Sequence, residues 1–251
     1  MAAAFLAAVV SGGWVFSTLM ALVSLVIWSE WTNIALPDAD DRTRLIGFVA
    51  LALMAVAVIF LQGPLQLITV LIIFAAGIGL MLSWSGGGMS ALGLVYAAGF
   101  FVAMSFLRNG AGEHDGLFAI LYLCAAVWAT DIGAYFAGRS IGGPKLAPAI
   151  SPNKTISGAL GGVICAMLAA GLIANAFAAP TLSLYISLAA VLSAVSQGGD
   201  LFESWLKRQA GVKDSGIIIP GHGGIMDRVD GLVFAAISLS VVAALSSTLF
   251  A

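Results

Sequence analysis

The stretches LIGFVALALMAVAVIFL, at positions 45–61, and LQLITVLIIFAAGIGLMLSW, at positions 65–84, carry no ionisable side chain. A helix made from either has the length needed to span about 30 Å of hydrocarbon. Runs of the same kind occur at 5–34, 89–107, 117–137, 158–178, 181–197 and 232–250, which makes eight candidate spans. The first run is too long for one upright helix and contains Gly12-Gly13, so it reads either as one tilted helix or as a short helix joined to a full span. Eight or nine segments follow. It lacks a basic leading region and is not read as a cleaved secretory signal.

The composition agrees. Of 251 residues, 61% are hydrophobic and 9% charged, too little polar surface for a water-soluble globule of this size. The sequence therefore predicts an all-α, polytopic transmembrane protein with a single membrane domain over 1–251. A formal net charge of −2 points to neither nucleic acid nor a general anionic partner. Cys124 and Cys165 lie inside apolar runs, which argues against a disulfide framework or a cysteine metal site.

The charges that remain are unevenly placed. If the first run crosses once, the loops at 37–44, 85–88, 138–157 and 207–230 share one side and hold nine of the ten basic residues; Arg108 alone lies on the other. By the positive-inside bias those loops are expected to face the cytoplasm, with the C-terminus outside. Chemistry on that face would use a cytosolic substrate.

Asp131, near the end of its span, costs several kcal/mol to desolvate unless it faces protein or water. It reads either as a functional carboxylate or as the partner of a loop cation that locks helices together, and Tyr135 lies one turn on. In SQGGDLFESWLKR, at 196–208, helical spacing puts Ser196, Asp200, Glu203 and Lys207 on one stripe. Such a stripe needs a wet cavity or partners, although a solvated helix end with local Glu–Lys pairing has the same pattern. Gly198-Gly199 would allow close approach of a backbone or a ligand.

Pro220 and the surrounding glycines break the chain before a helix begins near Ile225. Asp227 and Asp230, spaced i to i+3, share a face of its first turn, with Arg228 between them. Acidic residues are favoured at a helix start by the dipole alone. Together with Asp200, however, they offer the oxygen ligands that suit a hard divalent ion such as Mg2+. The loop GRSIGGPKLAPAISPNKTISG, at 138–158, combines cations, glycines and prolines and reads either as a phosphate grip or as a topology determinant at anionic lipid headgroups. Lys154-Thr155 looks like the end of a P-loop, but the glycine spacing is missing and no strand is expected before it, so a Walker site is rejected. His114 has no ligand spacing around it.

Two stretches together resemble the CDP-diacylglycerol synthase (phosphatidate cytidylyltransferase) family. In SWLKRQAGVKDSGIIIPGHGGIMDRVD, at 204–230, the family pattern is matched by Ser204, Lys207, Arg208, Lys213, Asp214, Pro220, His222, Gly223, Gly224, Asp227, Arg228 and Asp230. In DIGAYFAGRSIGGPKLAPAISPNKT, at 131–155, Asp131, Tyr135, Ser151, Pro152, Lys154 and Thr155 resemble its second motif, and Glu30 resembles a glutamate of its first helices. The likeness is clear over the C-terminal half, so 138–251 is expected to carry the catalytic motifs. One departure is Ser157, where the family often has glutamate.

The resemblance implies transfer of a cytidylyl group from CTP to phosphatidate, giving CDP-diacylglycerol and pyrophosphate in phospholipid synthesis at a bacterial inner membrane. It implies Mg2+ on Asp200, Asp227 and Asp230, with Lys154, Lys207 and Arg228 beside them in catalysis. Substrate contacts would come from Ser151, Pro152, Thr155, Arg208, Lys213, His222, Gly223, Gly224 and Asp131. A monovalent cation such as K+ and a homodimer are implied as well. Two other readings remain open at this point. A CTP-dependent lipid kinase of the dolichol or phytol kinase kind would release CDP instead of pyrophosphate. An ion-coupled secondary transporter would place charges at the midplane in both halves of a repeat, whereas here they lie toward one face.

Overall fold

The computed structural model describes residues 2–84, 87–110, 113–216, 223–246 and 249. Among these the chain forms nine α-helices: α1 (Ala2–Ser11), α2 (Gly13–Ala35), α3 (Asp41–Phe60), α4 (Gly63–Trp84), α5 (Gly88–Asn109), α6 (Glu113–Ile141), α7 (Ile156–Ala176), α8 (Leu182–Gln209) and α9 (Met226–Leu245). Eight of them, α2 to α9, are long and apolar enough to cross a membrane. The ten residues of α1 rise about 15 Å, half of what a crossing requires. This resolves the long first run into a short helix and a full span. The break falls at Gly12 and Gly13, whose φ of 60° and 53° lie in the left-handed region that a side chain disfavours. Helix α1 folds back so that Phe5 packs against Phe16 and Trp128.

Two spans begin at a side-chain cap. Asp40 caps α3 by accepting from the Thr43 amide at 2.9 Å and the Thr43 hydroxyl at 2.6 Å. Thr155 caps α7 through the Gly158 amide at 3.1 Å. Helix α8 is longer than its apolar run: QGGDLFESWLKR continues the helix to Gln209, carrying the polar stripe beyond the hydrophobic part of the span.

One element was not expected. The basic loop after α6 contains an antiparallel hairpin, β1 (Lys145–Ala147) and β2 (Ser151–Thr155), with Lys145 opposite Thr155 and Ala147 opposite Ser151. Three prolines and four glycines within 138–158 conceal it, because the two strands are too short for alternation to be visible. A strand therefore does precede Lys154-Thr155, contrary to expectation. Rejection of a Walker site now rests on the glycine spacing alone: Lys154 lies in the strand itself, not in a glycine loop.

Small residues draw the helices of the C-terminal half together. A Cβ at Gly158 or Gly162 would meet the Ala134 or Thr130 carbonyl at 2.8 Å, and one at Gly133 would meet Cys165 at 2.6 Å, so α6 and α7 pack backbone to backbone. Gly199 does the same for α8 and α9: its Cβ would stand 2.8 Å from the Asp230 carbonyl. Gly198, its neighbour, faces open space. Beneath the polar end, Trp31, Tyr96, Phe202 and Phe234 form an aromatic layer with centroid separations of 5.4 to 6.2 Å. The C-terminal ends of α2, α6 and α8, the N-terminal ends of α7 and α9, and the hairpin share one end of the bundle, as the contacts described below require.

Candidate functional site

The polar end contains two ion-paired centres. In the first, the hairpin carries Lys154 across to α8, where its ammonium pairs with Asp200. Its remaining N–H groups meet no other acceptor among the described residues. Beside the pair is a cavity of about 590 Å3. Its polar lining includes Asp131, Tyr135 and Arg139 from α6, Asn153, Lys154 and Thr155 around the hairpin, and Gln197 and Asp200 from α8. Arg139 donates to the Tyr135 hydroxyl at 3.1 Å. Asp131 is exposed to the cavity and close enough to Asp200 and Lys154 to feel both charges. Ser151, the half-buried first residue of β2, and the exposed Pro152 belong to the strand that delivers Lys154.

The second centre lies where α8 meets the start of α9. Lys207 donates to Glu203 at 2.9 Å and to Asp227 at 2.6 Å. The second oxygen of Asp227 accepts from the Ser215 amide at 2.8 Å, the Ser215 hydroxyl at 2.9 Å and the Gly224 amide at 2.8 Å. Glu203 is 1% exposed, and its Oε1 has no hydrogen-bond partner among the described residues. Asp230, one turn after Asp227, is close enough to Glu203, Asp200 and Asp131 for the carboxyls to interact. The α8 stripe expected from spacing is therefore real, and α9 completes it.

Gly223 and Gly224 are explained by close approach. Gly223 has φ of 79°, and a Cβ there would stand 2.7 Å from Asp227 Oδ2. At Gly224 it would collide with the Ser215 hydroxyl and the Glu30 carboxylate. The Gly224 amide, expected to meet phosphate, is committed to Asp227. Pro220 and His222 lie outside the described residues.

The structure thus gathers Asp131, Lys154, Thr155, Asp200, Lys207, Asp227 and Asp230, and does not bring every predicted cation to them. Arg208 is exposed and donates to the Val212 carbonyl at 3.3 Å. Lys213 and Arg228 are also exposed. Ser157, at the position where a glutamate was expected, donates to the Gly142 carbonyl and so ties α7 to the turn before β1. Sequence reasoning missed Ser215, which no spacing rule marks, and Gln197 and Asn153, which only the assembled cavity identifies.

Five carboxylates, Asp131, Asp200, Glu203, Asp227 and Asp230, surround two lysine ammoniums. That excess of negative charge, with a Glu203 oxygen that meets no donor among the described residues, fits the recruitment of a cation bound through oxygen. Among the described residues no three acidic, histidine or cysteine side chains already converge as a cage. Both lysines can exchange a carboxylate for a phosphate, and the open cavity beside Lys154 has room for one.

Comparison with known proteins identifies the family. Residues 1–246 match the cytidylyltransferase family. The phosphatidate cytidylyltransferase of Brucella suis is 45% identical over 235 residues, covering 93% of this chain and 86% of that protein. The enzyme of the same name from Bacillus subtilis is 43% identical over 162 residues, covering 62% and 60% respectively, and that of Staphylococcus haemolyticus is 45% identical over 144, covering 57% and 55%. With the match running through the helices that build both ion-paired centres, the chain belongs to the cytidylyltransferase family.

Proposed function

We propose that this protein transfers a cytidylyl group from CTP to phosphatidate, at the cytoplasmic face of a bacterial inner membrane, as a homodimer. The observation that carries the reading is the placement of two carboxylate-held lysines at one end of a membrane bundle, Lys154 lining an open cavity and Lys207 at the neighbouring centre. A lipid phosphate and a nucleotide triphosphate can meet there without either leaving its own phase.

The reaction joins two polyanions, so the protein's task is to neutralise charge and align groups. An anionic phosphate oxygen of phosphatidate attacks the α-phosphorus of CTP. The new P–O bond forms as the bond to the bridging oxygen breaks, and pyrophosphate leaves with that electron pair. The nucleophile is already ionised, so no general base is needed. Lys154 exchanges Asp200 for a substrate phosphate in the cavity, and Lys207 does the same at Asp227. Thr155 holds the start of α7 and with it the end of the strand that presents Lys154. Asp200 and Asp230 would hold Mg2+, joined by Asp227 once Lys207 releases its Oδ1. When bound, Mg2+ would supply positive charge that favours departure of the pyrophosphate.

Purified protein in detergent, given CTP, phosphatidate, Mg2+ and K+, is expected to form CDP-diacylglycerol and pyrophosphate in equal amounts, followed by mass. Release of CDP with a phosphorylated lipid would overturn the reading in favour of a CTP-dependent kinase.

A further inference from the structure

Glu30 sits on α2, 2% exposed, far in sequence from every motif of the site. Its Oε1 accepts from the Ile225 amide at 2.9 Å. Its Oε2 accepts from the Met226 amide at 2.7 Å and stands 3.0 Å from the Ser215 hydroxyl. The same hydroxyl stands 2.9 Å from Asp227 Oδ2 and receives the Asp227 amide at 3.3 Å. Gly216 and Gly224 are packed against the Glu30 carboxylate so closely that a Cβ on either would collide with it.

A carboxylate at the start of α9 could be only a helix cap. Glu30 differs because its contacts form a connected chain to the site: Glu30 to Ser215, Ser215 to Asp227, Asp227 to Lys207. Ser215 has one hydroxyl proton and two carboxylate neighbours, so the orientation of that hydroxyl, and with it one of the bonds to Asp227, depends on Glu30. Both ends of the chain are also tied to backbone, at Ile225 and Met226 on one side and at Ser215 and Gly224 on the other.

We propose that Glu30 is a positioning residue for the transfer reaction: by holding Ser215 and the first turn of α9, it sets the Asp227 carboxylate against Lys207. This rests on the function proposed above, but it makes a separate prediction. Helix α2 becomes part of the site although it lines neither the cavity nor an ion pair. Both oxygens of Glu30 must also act as acceptors. Glutamine has the same shape, but in either orientation its NH2 group would face the Ile225 or the Met226 amide, each of which needs an acceptor.

The test compares the full-length protein with Glu30→Gln, Ser215→Ala and the double variant in detergent, measuring kcat, the KM for each substrate and the thermal midpoint. Glu30→Gln is expected to lower kcat about 10- to 100-fold, the range set by loss of charge-assisted hydrogen bonds at a reacting site, with KM for phosphatidate little changed. Ser215→Ala is expected to lower kcat as well, and the double variant to fall less than the product of the two single effects, because both act through one chain. A purely structural cap would lower the thermal midpoint and leave kcat per folded molecule at the wild-type value. That outcome, or strictly multiplicative effects, overturns the proposal. Should Glu30→Gln fail to fold, Ser215→Ala decides, since it leaves the Ile225 and Met226 contacts intact; a wild-type kcat in it would overturn the proposal. If the wild-type protein itself forms no CDP-diacylglycerol, it is the functional reading that has failed.

Discussion

Two cations are held at opposite ends of this bundle, the buried Arg108 and the half-buried Lys207, and they are satisfied in different ways. Arg108, at the end of α5, is 2% exposed and donates through Nε to the Val9 carbonyl at 2.6 Å and through Nη2 to the Val10 carbonyl at 3.2 Å. It ties down the last turn of α1, and Gly12 gives it room, since a Cβ there would stand 2.5 Å from Arg108 Nη2. Lys207 is instead held by side chains, the carboxylates of Glu203 and Asp227. Fixed carbonyl dipoles make a permanent anchor. Carboxylates make a partner that a phosphate or a metal ion can replace, and the end of the molecule that uses them is the end with open coordination. Near the Arg108 end there is also a cavity, of about 670 Å3 between α2, α3, α4 and α5, lined by neutral groups such as Gln62, Gln66, Ser105 and Asn109. It is the larger of the two, yet nothing in its lining can neutralise a phosphate.

The contrast can be broken or sharpened by substitution. Asp227→Asn is expected to have the largest effect, because it removes the charge that holds Lys207 and that a metal ion would need: formation of CDP-diacylglycerol falls by at least about 100-fold, near 2.7 kcal/mol of barrier, with the protein still folded in detergent. Near-normal turnover would remove Asp227 from the site. Next comes Lys154→Ala, expected to lower kcat/KM about 10- to 100-fold even at saturating Mg2+; unchanged kinetics would return the hairpin to a role in topology. Arg108→Met tests the other end. It should cost about 1 to 3 kcal/mol of stability through the orphaned carbonyls, read as a lower thermal midpoint, while turnover per folded molecule stays at the wild-type value. A large loss of turnover there would mean the two ends are not separable.

The smallest effect belongs to Asp40, whose carboxyl is held below the usual carboxylate range by the Thr43 hydroxyl and then by the Thr43 amide. Its folded-state value is depressed, so its contribution to stability is present above its unfolded pKa and is lost as pH falls through the folded one. Asp40→Ala should therefore lower the thermal midpoint at neutral pH and leave it closer to wild type in acid. A difference that grows on acidification would contradict the cap.

Much of this was legible beforehand because the bilayer is a severe filter. A backbone in hydrocarbon must satisfy its own hydrogen bonds, so apolar runs of span length become helices whatever else they do. The polar stripe on α8 and the paired Asp227 and Asp230 on α9 could be read for the same reason, since charges near a membrane need partners. The hairpin could not be read, because three- and five-residue strands show no usable period and their pairing is decided by what they pack on. Nor could Ser215 be singled out, as its importance comes from two carboxylates that approach it from different helices.

The sequence by itself determined the helical membrane architecture, the concentration of chemistry at one end and the family to which the motifs belong. These follow from local composition and from residues close together along the chain. Only the tertiary structure decided that Lys154 pairs with Asp200 and Lys207 with Asp227, that Arg208 turns to the Val212 carbonyl, and that Glu30 on α2 reaches Ile225, 195 residues on. The physical reason is that a buried charge takes the partner that helix packing brings within hydrogen-bonding distance, and that packing is set here by glycines at helix crossings whose consequences lie across the fold.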